Sequence, residues 1–219
     1  MDLAVMQSYL PLYRDALFLT LRIGWQGVFL ALVFGLVCVI ILHLKIPVLK
    51  TLTGFYVELF RNTPLLVQLF FLYCALPRIG IRMTPEFTGC LGLGLIGGAY
   101  MTETFRSGLE SVPKIQEESA QSLGMTPLLV FRHVILPQAV ASSVPGILAN
   151  VIFLLKETSV FSTISLMDLM FTAKDLIGMY AKTIECLVLL VIFYLIMLLP
   201  VSVAGSVLER RLRHAEFGD

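Results

Sequence analysis

The feature that most limits how this chain can fold is a series of apolar runs, each about as long as a bilayer is thick. A hydrocarbon core of roughly 30 Å is crossed by about 20 helical residues, and runs of that kind stand at 16–44, 52–76, 87–108, 134–155 and 184–208. The 219 residues are 58% hydrophobic and 14% charged, which leaves no room for a separate soluble domain. The whole of 1–219 therefore reads as one transmembrane domain. Because backbone polar groups in lipid must be satisfied within the segment, the expected fold class is an all-α integral membrane protein with about five transmembrane helices.

Charge placement orients those helices. A formal net charge of +1 suggests neither nucleic acid nor an acidic partner, so the bilayer itself is the first partner implied. His43, Lys45 and Lys50 follow the first run, the 106–133 segment follows the third, and Arg210, Arg211 and Arg213 follow the fifth. The positive-inside rule then places the N-terminus outside and the C-terminus in the cytoplasm. Met1 to Leu12 has no basic stretch ahead of a short apolar core, so the first run is expected to anchor itself rather than be cleaved. Cys38, Cys74, Cys90 and Cys186 lie in apolar runs without C-x-x-C spacing and read as small core residues, with no disulfide framework and no metal site.

Polar residues inside apolar runs are costly and mark candidate functional positions. Glu58 and Arg61 are three apart on one helical face and read as a local pair anchoring a cytoplasmic helix end. Glu103 has Arg106 one turn later and Tyr100 one turn earlier, which makes Tyr100 and Glu103 candidates for lining a pathway. Gly94 and Gly98 form a G-x-x-x-G pair suited to close helix packing. Pro145 and Asn150 predict a kinked or broken fourth span with polar groups toward a cavity. The 156–182 stretch is of intermediate polarity and fits a short re-entrant or interfacial helix.

The most informative segment cannot span at all. From Leu109 to Arg132 the chain is polar, with Ser111 and Pro113 as a helix start and Glu117, Glu118, Gln121 and Ser122 following. Small residues on one face (Ser119, Ala120, Ser122) suit close docking in a cleft of another protein, Glu118 can accept charge-assisted hydrogen bonds there, and Gly124 ends the helix. Glu118-Ser119-Ala120, three residues, Gly124, nine residues, then Val134-Ile135-Leu136-Pro137 resembles the EAA loop of ABC importer permeases. Ser119 replaces the first alanine of that pattern and Val134 the isoleucine.

Three further stretches are similar to the polar amino acid uptake branch of that family. Phe60-Arg61-Asn62-Thr63-Pro64-Leu65-Leu66-Val67-Gln68 looks like its FRGTPLLVQ motif, with Asn62 for glycine. Ala99 to Gly108 resembles its AYxAExxRGG stretch, and Lys156-Glu157-Thr158-Ser159 its K(D/E)TS signature. The resemblance implies a type I importer permease with 113–129 as a cytoplasmic coupling loop, in which Glu117, Glu118, Ser119, Ala120, Gly124, Leu136 and Pro137 engage an ATPase. It implies a substrate pathway drawn from Gln68, Tyr100, Glu103, Asn150, Val151, Lys156, Glu157, Thr158 and Ser159.

The implied partners are two ABC ATPase subunits, a second permease subunit and an extracytoplasmic amino-acid-binding protein, in a bacterial inner membrane. Members for basic amino acids often carry a glutamate after the asparagine that matches Asn150. Val151 stands there in this chain, which points to glutamine, glutamate, aspartate, cystine or another polar amino acid.

No G-x-x-x-x-G-K-[ST] loop occurs, so this chain is expected to bind no cofactor, with ATP and Mg at the partner ATPases. No H-E-x-x-H or G-x-S-x-G motif suggests catalysis. Two rivals remain: an ion-coupled carrier acting alone with Glu103 as its coupling carboxylate, and a scaffolding membrane subunit. Neither accounts for the spaced Glu, Gly and Leu-Pro set.

Overall fold

The structure is a computed structural model that describes residues 2–44 and 46–217, with side chains to residue 210. It is helical, and the described residues contain no strand. Helix α1 (Leu3–Leu44) is followed by α2 (Pro47–Arg61), α3 (Leu65–Phe70), α4 (Pro85–Glu110), α5 (Lys114–Ser122), α6 (Pro127–Val130), α7 (Leu136–Glu157), α8 (Leu169–Tyr180) and α9 (Thr183–Phe217).

Among the described residues, α1, the continuous 127–164 unit and α9 are long and apolar enough to cross a membrane, and the bent pair of α2 with 65–79 is a fourth such unit. The remaining expected span is α4, whose 26 residues reach about 39 Å. Its glycines and its charged Glu103 and Arg106 make it less apolar, and it is enclosed by α1, α2 and α7 rather than presented to lipid.

The seam between α1 and α4 organises the bundle. A Cβ added at Gly35 would meet the Met101 Cβ at 2.5 Å, and one at Gly97 would meet the Ala31 Cβ at 2.6 Å, so backbone approaches backbone where a side chain would hold it off. The contacts advance together along both chains, so α1 and α4 run in the same direction. Leu154 packs on Gly97 and Ser143 on Gly108, so α7 runs against them. Ile23, Val28, Ala31, Leu93, Ile96 and Leu154 form the centre of this core.

A second cluster lies at the Leu3 end. Helix α1 begins thirteen residues before the expected span, because Tyr9 and Tyr13 turn one face of that extension toward Leu169, Ala173, Leu189 and Phe193. The buried Tyr13 hydroxyl donates to the Cys186 carbonyl at 2.7 Å, which gives an amphipathic ring the partner it needs. Helix α8 is the short helix foreseen in 156–182. Asp168 caps it, accepting from the backbone N–H groups of Phe171 and Met170 at 2.9 and 3.2 Å.

The second span is broken, and the fourth is not. The second span is not continuous: α2 and the helical stretch after it differ in direction by 107° across Asn62-Thr63-Pro64. Pro64 lacks the N–H that would carry the helix on. The fourth span, by contrast, runs unbroken through Pro145, and its irregularity is a π turn at Phe131–Ile135, just before Pro137.

Candidate functional site

The break in the second span needs donors, because the last carbonyls of α2 have no helical partner. Three side chains supply them. Asn62 Nδ2 donates to the Glu58 carbonyl at 2.7 Å, Thr63 Oγ1 to that of Leu59 at 2.8 Å, and Gln68 Nε2 to that of Phe60 at 3.1 Å. Gln68 Nε2 also reaches the carbonyl and hydroxyl oxygens of Thr63, at 3.0 and 2.9 Å. The Phe60 to Gln68 motif is thus a self-capping break, tolerated in a membrane because its own side chains satisfy it. Gln68 is buried within this knot, with Oε1 unpartnered.

Immediately beside the break sits a polar junction of α2, α4 and α7. Arg61 Nη1 lies 3.7 Å from Glu103 Oε2, and its guanidinium stands over the Tyr100 ring, 5.7 Å from the centroid. Arg106 Nη2 donates to the same Glu103 oxygen at 2.6 Å while its Nη1 reaches Glu110 at 2.9 Å. Across the junction Tyr100 meets Phe153 edge-on with ring centroids 5.3 Å apart, and Asn150 Nδ2 donates to Thr104 Oγ1 at 2.8 Å. Tyr100, Glu103 and Asn150 are therefore neighbours and only partly buried, two of the positively charged groups facing a single carboxylate.

The expected local pair of Glu58 with Arg61 is corrected. Glu58 Oε2 instead accepts from Asn62 Nδ2 at 3.0 Å, and Arg61 turns to α4. Sequence spacing favours partners three residues apart, and it carries no sign that the chain bends directly after Arg61. Reasoning on the sequence gave Arg61 the wrong partner and did not single out Thr104 or Phe153. The interruption of an apolar run by Asn62-Thr63-Pro64 was the available signal.

The other expected pathway residues do not join this junction. Val151 is buried in the main core. Lys156 is exposed at the end of α7, Glu157 is half-buried, and Thr158 and Ser159 open the tight turn 158–164, where buried Thr158 donates to the Leu155 carbonyl at 2.7 Å.

The polar loop forms its own surface. Helix α5 turns Ala120 inward and leaves Glu117, Glu118 and Ser119 exposed. Gly124 stops it at φ +82°, a left-handed conformation that glycine adopts without strain. The Met125 N–H returns to the Ala120 carbonyl at 3.2 Å and the Gly124 N–H to that of Gln121 at 2.9 Å, so the helix end is satisfied locally. Ile115, Leu123 and Leu128 are nonetheless more than half exposed, an apolar set uncovered beside charged residues. Leu136 and Pro137 are exposed at the start of α7, connected to α5 through α6 and the π turn. Among the described residues no group of three or more His, Cys, Asp or Glu side chains is placed to hold a metal ion.

Known proteins are similar to this chain in sequence and in fold. The “Probable amino-acid permease protein YxeN” of Bacillus subtilis is 34% identical over 95% of this chain and 95% of its own length. The “Probable glutamine ABC transporter permease protein GlnP” of the same organism is 35% identical over 81% and 82%. A solved amino acid ABC transporter, crystallised with histidines, superposes with a TM-score of 0.91 at 32% identity, covering 96% of this chain and 99% of that one. A methionine ABC transporter in an inward-facing conformation shares the fold, with a TM-score of 0.77 at 17% identity over 94% and 98%. Residues 27–214 match the family of binding-protein-dependent transport system inner membrane components. With that match over most of its length, the chain belongs to this family, as the membrane-embedded permease of an ABC transporter.

Proposed function

We propose that this permease imports a polar amino acid across a bacterial inner membrane, with its N-terminus outside and its C-terminus in the cytoplasm. The observation that carries the reading is the uncovered helix α5 with its Glu118 to Gly124 spacing and exposed Ile115, Leu123 and Leu128. Two ABC ATPase subunits, which hold the ATP and Mg, grip this loop (113–129) through the exposed Glu117, Glu118 and Ser119, while the inward Ala120 and the turn at Gly124 hold the loop in shape. Leu136 and Pro137 pass the motion into α7. A second permease subunit completes the channel, and an extracytoplasmic binding protein delivers the amino acid.

The α2–α4–α7 junction lines the pathway. A zwitterion brings a carboxylate and an ammonium, and the junction offers Arg61, Glu103, the Tyr100 ring and the Asn150 amide on one partly open face. Gln68 fixes the break that aims Arg61, and Lys156 to Ser159 form the far end of the route. Relatives named for glutamine support a polar substrate, and the apolar Val151 supplies no carboxylate for a cationic one.

Uptake of labelled amino acids into proteoliposomes holding this chain, its ATPase and its binding protein tests the reading. ATP-dependent uptake of one polar amino acid, abolished by Gly124→Asp, is the expected result. Uptake that ignores ATP and collapses with an ion gradient would replace it with the carrier in which Glu103 couples to the ion.

A further inference from the structure

At the end where α1 and α4 finish, a groove of about 430 Å³ opens between α1, α4 and α7. Leu36 and Ile40 of α1, Phe105 of α4, and Val140 and Ile147 of α7 make its walls almost wholly apolar. Such a volume in a soluble protein suits a small ligand. Here its walls belong to bilayer-spanning helices, and Leu36, Ile40 and Val140 are each about half exposed.

The mouth of the groove has a different chemistry. His43 lines it and stacks near Phe131, with ring centroids 6.1 Å apart. Phe131 opens the π turn that also carries Arg132 and His133, both exposed. Arg132 makes no ion pair among the described residues, and no acidic side chain lines the groove. Arg132, the exposed guanidinium next in sequence to the lining Phe131, puts a fixed positive charge beside an apolar slot between helices, which is complementary to one kind of molecule, an anionic lipid with a fatty chain below a phosphate.

We infer that this groove is a binding site for an anionic phospholipid of the inner leaflet, its acyl chain between α1, α4 and α7 and its phosphate at His43 and Arg132. The leaflet follows from the orientation proposed above. The site has a consequence for transport, because Phe131 to Leu136 connects the exposed loop to α7. A lipid seated there braces the joint through which motion of α5 reaches the bundle.

The test is native mass spectrometry of the full-length chain in its purified complex, delipidated and titrated with phosphatidylglycerol or with phosphatidylcholine of the same chain length. Phosphatidylglycerol is expected to bind about tenfold more tightly. Exchanging His43→Glu together with Arg132→Glu brings it to the phosphatidylcholine level, and Val140→Trp, placed at the rim where folding is not at stake, lowers both. Equal binding of the two lipids, or unchanged binding in Val140→Trp, overturns the inference. So does a disulfide between two copies of Val140→Cys formed in membranes, which would put a second permease in the groove. These readings need neither ATP nor substrate, so failure of uptake bears on the transport proposal alone.

Discussion

Arg61, the last residue of α2, holds its guanidinium between the Glu103 carboxylate, 3.7 Å away, and the face of Tyr100, 5.7 Å from the ring centroid. Both partners are on α4, so one side chain ties the broken second span to the helix at the centre of the bundle. The ion pair is more than a third exposed on the arginine side, and pairs of that kind contribute about 0–1 kcal/mol. Arg61→Gln should leave thermal stability within a degree or two and reduce ATP-dependent uptake about tenfold or more. Arg61→Lys keeps the charge but not the planar contact with Tyr100, and should recover part of the rate. Uptake and thermal unfolding measured on the same preparations separate the two effects.

Gly124 should be intolerant of a side chain for a reason that is purely conformational. Nothing lies within 4 Å of a Cβ built there, but its φ of +82° costs an L-residue about 1–2 kcal/mol. Gly124→Ala should loosen the end of α5, leaving the ATPase active and uptake reduced. Comparison of ATP hydrolysis with uptake in proteoliposomes shows whether the two have separated.

A contrast between glycines checks the packing of the bundle. Gly97→Val drives new atoms into Ala31 and Leu154, whose side chains lie 2.6 Å from a Cβ at that position, and overpacking typically costs about 1–3 kcal/mol. The protein should lose yield and unfold at lower temperature. Gly54→Ala, in α2 with open space around it, should hold or raise stability by about 0.5–1 kcal/mol. Thermal unfolding in detergent reads both.

Val151→Glu should not convert the permease to a cationic substrate. Val151 is 6% exposed and packed in the main core, so the new carboxylate is buried without a partner. The expected result is several kcal/mol of destabilisation and poor membrane yield. Recovery of a stable variant with arginine uptake would show that this position turns toward the pathway.

Asp168, the cap of α8, should make stability fall as pH rises. Burial pushes its carboxyl up to about 7, against the backbone N–H groups of Phe171 and Met170, which pull it down. In the unfolded chain it ionises near pH 3.9. Between those values the folded state holds a proton that the unfolded state has lost. Stability is then full below about pH 4 and declines through pH 7, by at most about 1.4 kcal/mol per unit. Asp168→Asn keeps a capping acceptor and should flatten the profile of unfolding temperature between pH 5 and 8.

Reading along the chain recovered the apolar runs because a membrane imposes one length on every span, and hydropathy reports that length directly. It recovered α5 and its stop at Gly124 because capping chemistry is local. The bend at Asn62 to Pro64 escaped it, since a few polar residues inside an apolar run do not reveal that three of their side chains close over the ends of a helix. Pro145 misled in the other direction: a proline marks a missing N–H, while the surrounding helices decide whether the helix continues. The pairing of Arg61 with Glu103 joins residues far apart in sequence, and spacing rules see only neighbours one turn away. Tyr9 and Tyr13 stand ahead of the first apolar run, and only α8 and α9 folded against them account for the early start of α1.

The close seam between α1 and α4 has a mechanical meaning. Two helices whose backbones touch over several turns cannot slide past one another without separating, so they behave as a single stiff beam. Helix α5 follows the end of that beam after only Ser111, Val112 and Pro113, and its other end leads through α6 and the π turn into α7, which packs on the same beam. A push on α5 of even a few ångströms must therefore tilt the pair as a unit, which makes the most rigid part of the molecule the part that carries force farthest from where it is applied.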